Sequence, residues 1–199
     1  MNYPALFGAL IFATVLSLAT ASESGPAPKG WLLTGSMPGS YDIGTSPQGG
    51  QNRGPAGFLK SKAESAGFGT LMQMVQADEY RGRRVRFAAT VRTENVVKWS
   101  GIWLRVDGPR REDGKSASLA FDNMQNRPIV GTTGWQRHEV VLDVPPSATA
   151  LAYGLLINGT GAAWLDEVRL EVVSASVPTT AMQVGPQLLK KPSNLGFVE

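Results

Sequence analysis

The stretch Leu119–Pro145, LAFDNMQNRPIVGTTGWQRHEVVLDVP, decides the fold. It opens on an apolar strand end, Leu119-Ala120-Phe121, and then runs through the polar segment Asp122-Asn123-Met124-Gln125-Asn126-Arg127-Pro128. After Gly131-Thr132-Thr133-Gly134 a second strand runs from Trp135 to Val144. There Gln136, His138, Val140, Leu142 and Val144 share one face, and Arg137, Glu139, Val141 and Asp143 the other. A period of two marks a half-buried strand. Pro145-Pro146 ends it, because proline has no N–H to give to a ladder. The expectation is a rigid strand pair presenting a loop rich in donors and acceptors.

Working outward, the same alternation recurs. Arg83–Glu94 sets Val85, Phe87, Ala89 and Val91 against Arg84, Arg86, Thr90 and Arg92. Trp99–Asp107 sets Ile102, Leu104 and Val106 against Trp103, Arg105 and Asp107. Phe68–Gln76 sets Leu71, Gln73 and Val75 against Met72 and Met74. Phe58–Lys62, Ala148–Asn158 and Ala163–Val173 complete the strands, and Asn158-Gly159-Thr160-Gly161 reads as a hairpin turn. In the last strand Trp164, Asp166, Val168, Leu170 and Val172 fall on one face. Short strands divided by Gly, Pro and Asn turns, without a long amphipathic helix, predict an all-β antiparallel sandwich of jelly-roll type.

Composition bounds the function. The 199 residues include 23 glycines, 13 prolines, one histidine and no cysteine. Disulfides, thiolate metal sites and cysteine nucleophiles are therefore excluded, as are multi-histidine metal sites. A net charge of +3 is too mild an excess to suggest a nucleic-acid partner. Arg81, Arg83, Arg84 and Arg86 cluster, but RGRRVRF reads as a strand start with a solvated face. His138 shares its face with Val140 and Leu142 and reads as a sheet histidine with its hydrogen bonds satisfied. No G-x-S-x-G elbow is present, and the glycine-rich GTGAAW and GFGTL open no helix. No constellation argues for an enzyme.

Residues 5–21, ALFGALIFATVLSLATA, carry no charged side chain and end on an A-x-A pattern before Ser22-Glu23-Ser24. This predicts a signal-peptide helix over residues 1–21, cleaved after Ala21. Because no Lys or Arg precedes the apolar run, an uncleaved anchor is the alternative. A linker over 22–30, a sandwich over 31–173 and a tail over 174–199 follow. The location implied is periplasmic or secreted, with no membrane role beyond the leader.

Several stretches together, GWLLTGSMPGSYDIG, GFGTLMQ, YRGRRVRFAATVRTE, WSGIWLRVDG, the 119–145 segment and GAAWLDEVRLEVV, are similar to the galactose-binding-like jelly rolls related to carbohydrate-binding modules. In particular they resemble an accessory domain of bacterial proteins that is sometimes fused to helix-turn-helix regulators. The resemblance implies the jelly-roll fold and a binding role toward carbohydrate or another cell-envelope ligand. It also implies that Asp166, on the closing strand, could help hold a structural calcium, although calcium needs six to eight oxygens. The alternative is a carboxylate that accepts backbone N–H groups at a loop base. The opening strand of related jelly rolls is absent near residue 31, while a similar string, Asn194–Glu199, stands at the C-terminus. The tail is therefore expected to cross the domain and dock residues 194–199 as a strand, burying Leu195 and Phe197.

Sugars combine C–H faces that stack on aromatic rings with hydroxyls that pair with amides, carboxylates and guanidinium groups. On that chemistry the candidate ligand-binding residues are Trp103 and Arg105, with Gln73, Asp122, Asn123 and Gln125 as a polar rim. Trp103 is a platform if its face is open and core filling if a second sheet covers it. Trp99, Trp135, Trp164, Met72, Met74 and Met124 are read as core. A structural or protein-interaction domain is the alternative function, and a hydrolase stands behind both.

Overall fold

One strand ties the molecule together. β5, Arg84–Arg110, is 27 residues long and contains both of the strands expected over 83–107. Asn95 takes a left-handed conformation (φ 52°), and the pairing register with the neighbouring strand shifts at Thr93, Val96 and Ser100. These irregularities bend the strand out of one layer into the other without ending it. The computed structural model describes residues 26–62, 67–181 and 191–196. The expected signal peptide over 1–21 lies outside them.

The other strands are β1 Leu32–Gly35, β2 Tyr41–Ser46, β3 Ala56–Ser61, β4 Phe68–Gln76, β6 Ser116–Asp122, β7 Ile129–Asp143, β8 Ala150–Asn158 and β9 Ala162–Val173. All pairings are antiparallel. One layer runs β1-β4-β8, then the C-terminal half of β5, then β6. The other runs β2-β3-β9, then the N-terminal half of β5, then β7. This is the expected jelly-roll sandwich. Its core lies between the layers, where Leu71, Ile102, Leu104, Val106, Leu151 and Leu155 meet Val85, Phe87, Val91, Val140, Leu142 and Leu165. Tyr41 closes one end, its hydroxyl donating to the carbonyls of Gly67 (3.0 Å) and Gly159 (2.7 Å).

Three local expectations change. β6 and β7 do not pair with each other: each pairs with a different half of β5, so residues 123–128 cross between layers. Likewise β8 and β9 sit in different layers, and Asn158–Gly161 is a crossover rather than a hairpin turn. Gly159 and Gly161 there have φ of 82° and 131°, conformations that side chains resist. Third, β9 has a bulge where Glu167 takes φ 49° and the register with β5 shifts. The bulge changes the phase of the alternation. Ala163 and Leu165 enter the core before it and Leu170 packs against the core after it, so Trp164 and Leu170 face opposite ways.

The tail also differs. Arg84 donates through Nη1 to the carbonyls of Ala175 (2.7 Å) and Val177 (2.5 Å). Thr180 pairs with Val141 on β7, N to O at 2.9 Å, and its Oγ1 accepts from Val141 N at 2.8 Å. The tail thus covers the outer edge of β7 at residues 174–180, not through its last six. Leu195 is 78 % exposed and residues 191–196 form no strand, which corrects the expected burial of Leu195. Phe197 lies outside the described residues.

Candidate binding cleft

Alternation gives the first layer two faces, and its outward face is apolar. Met72 on β4, Trp103 on β5 and Ala152 and Leu156 on β8 form a cluster, with Phe68, Trp99 and Phe121 packed around it. All of these but Ala152 floor and wall a cleft of about 550 Å³ that also takes in Thr34, Thr70, Arg105, Asn123, Gln125 and Asn158. The cleft crosses the layer from β1 to β6. Four strand spacings of about 4.8 Å make that span roughly 19 Å.

Trp103 is 6 % exposed and fixed by a hydrogen bond from its indole N–H to Thr70 Oγ1 (2.7 Å). The Thr70 hydroxyl in turn donates to the Leu155 carbonyl (2.8 Å). Trp103 is therefore both floor of the cleft and packed interior of the outward face. Arg105, two residues along, donates from Nε (2.7 Å) and Nη2 (3.0 Å) to the carboxylate of Asp107.

The segment after β6 supplies the polar wall. Asp122 is fully buried and accepts from Met124 N (2.8 Å) and from Arg127 Nη1 (3.1 Å) and Nη2 (2.7 Å). Arg127 reaches on to the Glu139 carbonyl at 3.2 Å. A positive φ of 63° turns Met124 into the core, leaving Asn123 and Gln125 at the cleft. Gly101 lets the segment lie against β5, because a Cβ there would meet Met124 Cβ at 3.0 Å and the Asn123 carbonyl at 3.1 Å. The side chains of Gln125 and Asn158 make no hydrogen bond among the described residues, so their amide groups stay open to a ligand.

Four of the six expected residues thus share one cleft: Trp103, Arg105, Asn123 and Gln125. Two do not. Asp122 points inward, its carboxylate consumed by Arg127 and the turn. Gln73 stands on the opposite face of β4, its Oε1 accepting from the Tyr153 hydroxyl and its Nε2 reaching the Gly30 carbonyl (3.4 Å). Met72 and Trp99, read as core, do pack in the outward cluster and also line the cleft. The signal for Trp99 was its even spacing from Trp103 along one strand.

Asp166 stands at a loop base, its Oδ2 accepting from Gln51 N (2.9 Å) and its Oδ1 from Glu167 N (2.7 Å). These two contacts are those of the loop-base alternative, and among the described residues no three His, Cys, Asp or Glu side chains gather as a metal site. His138 is away from the cleft. Its Nε2 is sealed without a hydrogen-bond partner among the described residues, contrary to the satisfied histidine expected. Burial, and then the nearby Arg127 charge, push its pKa below the ordinary histidine value.

The β-sandwich has the fold of solved carbohydrate-binding modules. The Clostridium thermocellum xylanase 10B CBM22-1–GH10 modules, solved with xylohexaose, superpose with a TM-score of 0.54 at 14 % identity, covering 75 % of this chain and 27 % of that one. The CBM22-1 xylan-binding domain of Paenibacillus barcinonensis Xyn10C superposes at 0.50 with 15 % identity, covering 77 % and 92 %. In sequence the chain is 38 % identical over 173 residues to YbfP of Bacillus subtilis, described as an uncharacterized helix-turn-helix-type transcriptional regulator. That match covers 86 % of this chain and 57 % of the regulator. No protein-family model matches the chain.

Proposed function

We propose that this protein is a non-catalytic binding module for an oligosaccharide, exported to the periplasm or cell exterior, with the outward cleft of the first layer as its site. The observation that carries the reading is the cleft lining. Phe68, Trp99, Trp103 and Phe121 offer aromatic surface, while Arg105, Asn123, Gln125 and Asn158 offer hydrogen-bonding groups between them. Aromatic carbon for sugar C–H faces and planar amide or guanidinium groups for hydroxyls is the division of labour that sugar chemistry asks for. The xylan-binding and xylohexaose-bound neighbours support the same ligand class. The non-catalytic part of the reading is supported by the xylan-binding domain among the structural neighbours. The apolar leader and its A-x-A end support export.

The test is a glycan array probed with the purified protein, followed by calorimetric titration of the hits. Saturable glycan binding that weakens at least about tenfold in Arg105→Ala, a loss of about 1.4 kcal/mol, supports the reading. No glycan bound, with saturable capture of a protein partner, overturns it. That outcome favours the second reading, an interaction domain, which the extended match to a transcriptional regulator supports.

A further inference from the structure

We propose that Asp107 sets the ligand class of the cleft by silencing the charge of Arg105, so that the site selects uncharged oligosaccharides over acidic ones. This inference rests on the carbohydrate reading above and deepens it.

Among the described residues that line the cleft Arg105 is the one ionisable side chain, and it is 40 % exposed. Its partner is not at the surface: the Asp107 side chain is 5 % exposed and does not line the cleft. The two meet as a fork, with Nε at 2.7 Å from one carboxylate oxygen and Nη2 at 3.0 Å from the other. A bidentate pair of this kind neutralises the guanidinium locally and fixes its plane. It uses two of the five N–H donors and leaves three, those of Nη1 among them, without a partner among the described residues. Arg105 is thereby converted from a cation that attracts anions into an oriented set of donors. Such donors serve hydroxyl oxygens.

The rest of the polar lining points the same way. Thr34, Asn123, Gln125 and Asn158 are neutral, and the nearby Asp122–Arg127 pair is closed on itself with Asp122 fully buried. A carboxylate-bearing sugar entering this cleft would shed water beside four aromatic rings and meet no uncompensated positive charge. Burying a charge without a partner is strongly unfavourable. A neutral sugar meets no such penalty.

The experiment titrates four hexasaccharides calorimetrically: xylohexaose and cellohexaose as neutral probes, hexagalacturonate and hexaguluronate as acidic ones. A glycan array with neutral and uronic members runs in parallel. The wild type is expected to bind neutral members and to reject their acidic counterparts, with affinity insensitive to salt. Asp107→Asn keeps a hydrogen-bond acceptor for Arg105 but frees its charge. The acidic-to-neutral affinity ratio should then rise about fivefold, the upper end for one partly exposed charge pair, and the gain should vanish at high salt. Arg105→Gln, which has no charge to silence, should weaken neutral binding yet keep the neutral-over-acidic order. Should Asp107→Asn fail to fold, the salt dependence of the wild type and the order in Arg105→Gln still decide the matter. Acidic glycans preferred by the wild type, or an unmoved ratio in a folded Asp107→Asn, would overturn the role of Asp107 while leaving the carbohydrate reading intact. If no array member binds the wild type or either variant, the carbohydrate reading falls and this inference with it.

Discussion

Truncating Trp103 to alanine tests whether the cleft floor is also a structural element. The indole is 6 % exposed and packs on Met72, Ala152 and Leu156. Removing a buried aromatic of this size costs about 3–5 kcal/mol, through lost transfer energy and the cavity left behind. The hydrogen-bond loss adds little. Thr70 still donates to the Leu155 carbonyl at 2.8 Å after its indole partner is gone. Against a typical domain stability of about 5–15 kcal/mol this is a large fraction. At about 2–4 °C per kcal/mol for a chain of this size, the melting temperature should fall by roughly 6–20 °C. The assay is denaturant unfolding alongside a thermal melt, with an unchanged m-value confirming that stability rather than cooperativity has shifted. Trp103→Phe should recover most of the loss. A loss below about 1 kcal/mol in Trp103→Ala would mean that the ring is not packed as described, and the argument from burial would fail. Weaker sugar binding by this variant cannot stand alone as proof of a contact, which is why the binding tests rest on Arg105.

Arg84→Ala should release the tail from β7. Amide protection at residues 175–180 is expected to fall, and unchanged protection by hydrogen exchange would refute the latch. Arg84 also holds the Asp143 carboxyl below its usual range through a side-chain hydrogen bond, so the Arg84–Asp143 pair is pH-sensitive. Its contribution is full above the unfolded carboxyl pKa of about 4 and is lost as pH falls through the lower folded value. For His138 the folded pKa is depressed, so the unfolded chain takes up the proton first. Stability should decline as pH drops below about 6.5, and the decline should level off below the folded value. Equilibrium unfolding across that range should show the slope in the wild type and not in His138→Leu; a slope that persists in the variant would exclude His138 as its source.

The layers were legible in the sequence because alternation reports burial directly. Val85, Phe87, Ala89 and Val91, and likewise Ile102, Leu104 and Val106, fill the core as their spacing requires. What alternation does not report is which strands are neighbours. The 83–94 and 99–107 runs are one strand, and nothing local distinguishes a bend at Asn95 from a break. A bulge is equally silent: Trp164 and Leu170 share a parity but not a face, because the left-handed Glu167 resets the count. The cleft was legible only where strand parity decided it. Trp103 and Arg105 followed from one strand's register, whereas Gln73 failed because parity on one strand does not say which face another strand turns outward. Asp122 was misplaced for a different reason. Its side chain satisfies a turn and an arginine, and a polar residue in a polar run gives no sign of that.

The two outward faces of the sandwich differ in a way that favours the proposed site. On the second layer the charges found in the arginine-rich strand start are answered by acids. Arg84 meets Asp143 at 2.7 Å, and Arg86 meets Glu171 at 2.9 Å and Glu139 at 3.5 Å. Arg92 pairs with Glu94 and stacks 3.8 Å from the Trp164 ring centroid. Each of these groups is already partnered, so a ligand placed there would have to break ion pairs before gaining anything. The first layer presents the opposite situation. Its aromatic and aliphatic side chains sit beside a cleft whose water gains little from them, and the open amides of Gln125 and Asn158 have no partner to lose. Displacing poorly held water from apolar surface is favourable, and filling uncommitted hydrogen bonds adds direction to it. The same backbone alternation therefore gives one face side chains that are already paired and the other an apolar cleft with uncommitted amides, which is what the proposed site requires. The difference between them is whether polar side chains are matched within the chain or left for something outside it.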